Sequence, residues 1–132
     1  MMLYMLDTDI SVYLIKNHPA ELRERFDRFI GEISISVITL GELYFGAEKS
    51  LRRAQNMTAI EAYIAQLQVL PFLATATAHF GELRAALNRA GTPIGAFDLL
   101  IGAHARSEGL TLVTNNVREF GRLPGLLVEN WV

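Results

Sequence analysis

The sequence predicts a three-layer α/β protein, a central and mostly parallel sheet of about five strands flanked by helices. Three observations carry this. Short apolar or β-branched runs of strand length recur at 3–6, 33–37, 69–72, 110–113 and 126–128. Longer segments with helical periodicity separate them. No tight-turn dipeptide joins two runs into a hairpin, so successive strands are read as parallel with helical crossovers.

The elements follow in order. Residues 3–6 form a buried strand that stops at Asp7. Asp9 is the expected N-cap of a helix over 10–15, which Asn17-His18-Pro19 stops. Residues 21–30 are helical, with Leu22, Phe26, Phe29 and Ile30 on one face and Gly31 closing the end. The strand at 33–37 feeds a helix bearing Leu40, Leu43, Tyr44 and Ala47 through the capping-box spacing Thr39-x-x-Glu42. A longer helix follows, its stripe made by Leu51, Met57, Ile60, Ile64 and Leu67. Pro71 marks 69–72 as an edge strand. Residues 75–90 are helical through Ala76, Phe80, Leu83, Leu87 and Ala90. The turn-rich 91–95 breaks into an apolar helix over 96–105, ended by Gly109. The strand at 110–113, a short helix through Phe120 and a last strand at 126–128 complete the chain.

Composition narrows the class. The chain has 132 residues, 51% hydrophobic and 20% charged, which is globular rather than disordered. No apolar run approaches the ~20 residues of a membrane span. No signal peptide is recognised, and with no cysteine disulfides and thiolate metal sites are excluded; the cytoplasm is the expected compartment. A net charge of −2 gives no global field for nucleic acid. Local basic clusters, Arg23/Arg25/Arg28, Lys49/Arg52/Arg53 and Arg118/Arg122, suit solvated helix faces or a phosphate-binding rim.

Acidic residues fall at strand ends and helix starts. Asp7 ends the first run with Thr8 and Asp9 behind it; if Asp9 takes the cap, Asp7 stands free at the carboxyl end of a strand, where open α/β folds bind ligands. Glu42 alone is well explained as the second half of a capping box. Asp98 shares its helix face with Ile101, Gly102 and Ala105, with no Lys or Arg within a turn. A carboxylate facing a core must be paired, protonated or bound to a cation, and a cation is the reading adopted. Asn116 and Glu119 have cap spacing too, yet follow a strand end and reach the same edge; both roles stand. Such a cluster raises its own pKa values unless a cation neutralises it. Oxygen donors without cysteine or paired histidines select Mg²⁺ or Mn²⁺ over zinc. His18, His79 and His104 share no ligand spacing and are read as a loop residue and two helix residues. Phosphoryl chemistry follows from the acidic centre, and the missing Walker loop turns it from nucleoside triphosphates toward a nuclease or phosphatase.

Four motifs then carry a family resemblance: Met5-Leu6-Asp7-Thr8, Ser36-x-x-Thr39-x-x-Glu42-Leu43-x-x-Gly46, Pro93-Ile94-Gly95-x-x-Asp98-x-x-Ile101-x-x-His104-Ala105 and Val113-Thr114-Asn115-Asn116-x-x-Glu119-Phe120. Together they resemble the PIN-domain ribonucleases, and among them the VapC toxins of bacterial toxin–antitoxin pairs, in the enteric-type subgroup. The resemblance implies a single PIN domain over 1–132 and a Mg²⁺- or Mn²⁺-dependent endoribonuclease that arrests translation by cutting initiator tRNA in the anticodon stem-loop. It implies Asp7 and Asp98 as metal ligands, Glu42 and Glu119 as further catalytic acids, and Thr8, Asp9, Thr114, Asn115 and Asn116 as auxiliary residues. Its expected partners are a VapB-type antitoxin whose tail lies across the cleft, a second copy of the chain, and promoter DNA through the antitoxin alone. Asp9 departs from the family's usual Asn, and Asn116 stands where many PIN domains carry Asp, leaving Glu119 to supply that acid. The alternatives are a catalytically weak PIN scaffold serving as co-repressor partner of its antitoxin, or another phosphodiesterase.

Overall fold

In the computed structural model, which describes residues 1–132, the chain runs β1 (Tyr4–Leu6), α1 (Thr8–Ile15), α2 (Ala20–Arg28), β2 (Ile33–Ser36), α3 (Val37–Glu48) and α4 (Arg53–Ile64). It continues through β3 (Gln68–Leu70), α5 (Ala74–Ala90), α6 (Ala96–Glu108), β4 (Thr111–Val113), α7 (Val117–Phe120) and β5 (Val128–Glu129). The sheet order is β3-β2-β1-β4-β5 and every adjacent pair is parallel. The chain therefore builds outward from β1 to β3 on one side, then returns through α5 and α6 to β4 on the other. The connection from β1 runs to β2 and that from β4 runs to β5, in opposite directions, so the gap between β1 and β4 at their carboxyl ends is the switch point where such sheets bind ligands.

Alternation along the strands sorts the core into two faces. Leu6, Ile33, Ile35 and Val113 join Ile10, Leu14, Leu22, Phe26, Leu43, Ile60 and Tyr63 under α1–α4. Met5 and Leu112 face the other way, onto Leu83, Leu87, Leu99 and Ile101 of α5 and α6 and onto Phe120 of α7. Ser34 and Ser36, which alternate with Ile33 and Ile35, are fully buried, and their hydroxyls find partners at the Tyr4 carbonyl and at His104. Trp131 closes the first face against Tyr4 and Phe29.

Several expectations are corrected. The helix after β1 begins at Thr8, so its N-cap is Asp7 and not Asp9; Asp9 sits exposed in the first turn, where the helix dipole suits a carboxylate. The strand passes straight into the helix, leaving no residues for a later cap. In the same way α3 starts at Val37 with Ser36 as its cap, accepting the Ile38 N–H at 3.0 Å. Thr39 and Glu42 are therefore no capping box; they lie inside the helix. Asn116 makes no side-chain cap bond to α7. Leu51 lies outside α4 in the turn organised by Ser50, fully exposed, and Tyr63 fills the buried stripe with Ile60 instead. Ile30 and Ala90, both at helix ends, face solvent. No helix is long and apolar enough to cross a membrane.

Candidate active site

Because β1 and β4 pair Leu6 with Val113, their ladder continues one residue further, with the Asp7 N–H donating to the Val113 carbonyl at 3.0 Å. This brings Asp7 and Thr114 side by side at the switch point. Asp7 is 3% exposed, and its two oxygens do different work. Oδ1 accepts the Ile10 N–H at 2.9 Å, while Oδ2 accepts the Thr114 hydroxyl in a short hydrogen bond. The capping role and the site role fall on one residue. Burial pushes the Asp7 pKa up to about 6; the Thr114 and Ile10 bonds oppose that rise, and Asp9 and Asp98 add to it by repulsion.

Asp98 enters from the first turn of α6, half-buried. Its pKa also rises to about 6, first through desolvation and then through repulsion from Glu42, Glu119 and Asp9. Asp9 and Asp98 thus bear on Asp7, and Asp9, Glu42 and Glu119 on Asp98, forming one acidic centre drawn from the end of β1 and from α1, α3, α6 and α7. Glu42 reaches it from the second turn of α3, its Oε1 accepting the Thr8 hydroxyl at 2.5 Å, with Thr39 Oγ1 3.3 Å from the same hydroxyl.

Glu119 is delivered by close packing. A methyl group at Gly102 would overlap Leu123 Cδ1 and stand 3.5 Å from Phe120 Cδ1, so the bare glycine lets the α7 segment lie against α6 beside Asp98. Glu119 Oε2 accepts from the Asn116 amide at 3.0 Å, and the Asn116 N–H donates to Thr114 Oγ1 at 2.9 Å. A continuous chain of hydrogen bonds thus runs from Asp7 through Thr114 and Asn116 to Glu119. Asn115 instead turns away, donating to the Tyr13 hydroxyl at 3.0 Å and tying this loop to α1.

All nine residues singled out from the sequence lie at this edge. Lys16, Asn56 and Thr39 join them. Lys16 and Asn56 line the groove between α1, α3 and α4 that opens beside Thr8 and Glu42, with Val12, Ile15, Leu43 and Ile60 as its apolar floor. Thr39 is a core-facing hydroxyl one turn before Glu42, a signal that capping-box spacing conceals. Of the expected basic rim, Arg53 pairs with Glu48, and Arg23 binds the Leu14 carbonyl and Asn17.

The donors are all hard oxygens carrying excess negative charge, which is the chemistry that Mg²⁺ or Mn²⁺ satisfies. No three acidic or imidazole side chains are drawn into a preformed cage. Asp7, Glu42 and Glu119 are each turned onto a neighbouring hydroxyl, amide or backbone N–H, while no hydrogen bond holds Asp98.

The fold and site define an α/β protein with a parallel five-stranded sheet and an acidic centre at its switch point, and known proteins narrow its class. Residues 4–126 match the PIN domain model. A tRNA(fMet)-specific endonuclease VapC from Shigella flexneri is 49% identical over 131 residues, covering 99% of each chain. Ribonuclease VapC2 from Haemophilus influenzae is 48% identical across 100% of both chains. The crystal structure of DNA-bound VapBC from Salmonella typhimurium contains a chain that superposes with a TM-score of 0.97 at 47% identity, covering 100% of each. The chain belongs to the PIN-domain family and, within it, to the VapC ribonucleases.

Proposed function

We propose that this chain is the toxin of a type II toxin–antitoxin pair, a Mg²⁺- or Mn²⁺-dependent endoribonuclease that inhibits translation by cutting initiator tRNA in the anticodon stem-loop. The observation that carries the reading is the mutual repulsion of Asp7, Asp98, Glu42 and Glu119 at the sheet's switch point, in a chain whose full-length relatives are named for tRNA(fMet) cleavage. When bound, the ion supplies the positive charge that a scissile phosphate and its attacking water require. Asp7 and Asp98 are its ligands in this reading. Thr114 and the Ile10 N–H hold the Asp7 carboxylate in one orientation, which removes a rotational freedom that binding would otherwise cost. Glu42, held by Thr8, and Glu119, held by Asn116, bound the open side; one can take the proton of the attacking water, and the departing oxygen takes its proton from solvent. Lys16 gives the groove a cation for an RNA phosphate.

The partner is a VapB-type antitoxin, and the apolar groove between α1, α3 and α4 supports docking of its tail across the cleft beside Glu42. Promoter DNA is bound through that antitoxin. The exposed Val37, Phe45 and Phe97 around Gly41 support a homodimer.

The test is cleavage of purified initiator tRNA with Mg²⁺ or Mn²⁺, mapped at its ends beside elongator tRNA. Asp7→Asn and Asp98→Asn are each expected to lower the rate by about 10²–10³ or more, as losing a principal electrostatic group does. Cleavage or growth arrest that survives both changes would remove the metal mechanism. The second reading, a catalytically weak scaffold, draws on Asn116 occupying Glu119; it requires antitoxin binding without growth arrest.

A further inference from the structure

One buried polar contact lies outside the acidic centre and is unexplained by it. His104 is fully buried on α6 among Ile101, Ala103 and Ala105, where a leucine would satisfy packing. A buried imidazole is retained against its desolvation cost only with partners. Its Nδ1 lies 2.7 Å from Ser36 Oγ, and Ser36 is itself fully buried. That same oxygen caps α3 by accepting the Ile38 N–H. The Ser36 hydroxyl and Nδ1 share one buried hydrogen bond, and burial of the ring favours its neutral form. Nε2 makes no well-aligned hydrogen bond, although the Pro71 carbonyl acts on the ring. Phe72 packs edge-on against the ring at 5.2 Å.

The contact joins the two helices that matter. α3 carries Glu42 and starts at Ser36; α6 carries Asp98 and, further along, His104. We propose that His104 is a positioning residue whose buried hydrogen bond to Ser36 locks the start of α3 against α6, and so sets the separation of Glu42 and Asp98. The proposal rests on the nuclease reading of that centre. A hydrophobe at 104 would keep the core filled but leave the buried Ser36 hydroxyl without its side-chain partner, freeing the cap and the helix start to shift.

The experiment compares His104→Leu, His104→Asn and Ser36→Ala in the full chain. Its readouts are Mn²⁺ affinity by calorimetry, kcat and KM on tRNA, and thermal unfolding. His104→Leu is expected to lower kcat and Mn²⁺ affinity by about tenfold or more, as groups that orient metal ligands do, with KM for RNA nearly unchanged. His104→Asn places an amide oxygen where Nδ1 stood and recovers most of both. Ser36→Ala reproduces His104→Leu, and the two together cost no more than either, as members of one contact. Equal loss in the Leu and Asn variants, or wild-type kcat and Mn²⁺ affinity in His104→Leu, overturns the proposal. If His104→Leu does not fold, wild-type values in Ser36→Ala overturn it equally. A wild-type protein that binds Mn²⁺ and cuts RNA while the variants match it removes the positioning role alone. A wild-type protein that does neither removes the nuclease reading and the positioning role with it.

Discussion

The buried corner where β1 runs into α1 and the open rim where α6 begins each present one aspartate to the cleft, and the two are held in opposite ways. Asp7 is sealed in, and its rise to about 6 is a desolvation effect that two hydrogen bonds work against. Asp98 is half-open to water; its rise to the same value starts from desolvation too, but three neighbouring carboxylates add to it and no hydrogen bond opposes it. The corner's carboxylate is fixed by two hydrogen bonds, whereas the rim's stands among like charges with none. An ion at this site would find one ligand already oriented and the others drawn in by relief of repulsion.

The comparison is broken most severely at the chemistry itself. Asp7→Asn and Asp98→Asn should both remove cleavage, and the loss measured on tRNA should be similar for the two.

Their effects on stability should differ. In metal-free protein a carboxyl whose folded pKa exceeds its unfolded value keeps its proton while the unfolded chain has lost it. Stability is then full below about pH 4 and declines as pH rises to about 6. For Asp7 the rise from 3.8 to about 6 corresponds to about 3 kcal/mol. Asp98 contributes in the same direction but less, because water screens it. The carboxylates of Glu48 and Glu82, held down by Arg53 and Arg106, act in the other direction from exposed positions. Urea titrations with a chelator from pH 4 to 8 should show the decline, Asp7→Asn should abolish most of it, and added Mg²⁺ should flatten it. A wild-type curve that climbs through this range would remove the burial argument.

Gly102→Ala tests the rim from behind. The clash with Leu123 should cost about 1–3 kcal/mol in denaturant midpoint and displace Glu119, lowering cleavage without touching Asp7. Unchanged stability would mean that α7 is not held by that contact.

The smallest contrast is between the two threonines. Thr114→Val strips the buried Asp7 of a hydroxyl and should destabilise by about 1–3 kcal/mol at neutral pH. Thr8→Val acts on a half-exposed Glu42 that water can re-solvate, and should stay within about 0.5 kcal/mol. Equal values would erase the distinction between corner and rim.

Much of this was legible in the linear chain, for physical reasons. Short apolar or β-branched runs that stop at Asp7 and Thr114 mark parallel strands, because strands covered on both faces need no polar period; the 33–37 run was legible from its β-branched residues although Ser34 and Ser36 interrupt it. Gly91 and Gly109 mark helix ends because both adopt left-handed backbone there. Asp98 stood out because a carboxylate on an apolar helix face needs a cation or a partner. The caps were misread because a side chain suited to capping does not say where the strand ends and the helix begins. At Asp7 and Ser36 that junction has no spare residue, so caps expected two and three residues later, at Asp9 and Thr39, fall on the strand ends themselves.

What a single residue type and its neighbours in sequence can dictate therefore extends to which acids lie at the working edge of the sheet. Folding assigned their partners: Thr114 to Asp7, Thr8 to Glu42, Asn116 to Glu119, His104 to Ser36. Apart from Asn116 and Glu119, each of these pairs joins distant parts of the chain. Such contacts depend on strand order and on how closely helices pack, and so on the crossover that carries the chain from β3 back to β4 beside β1, and on a missing methyl at Gly102, whose consequences no local pattern encodes.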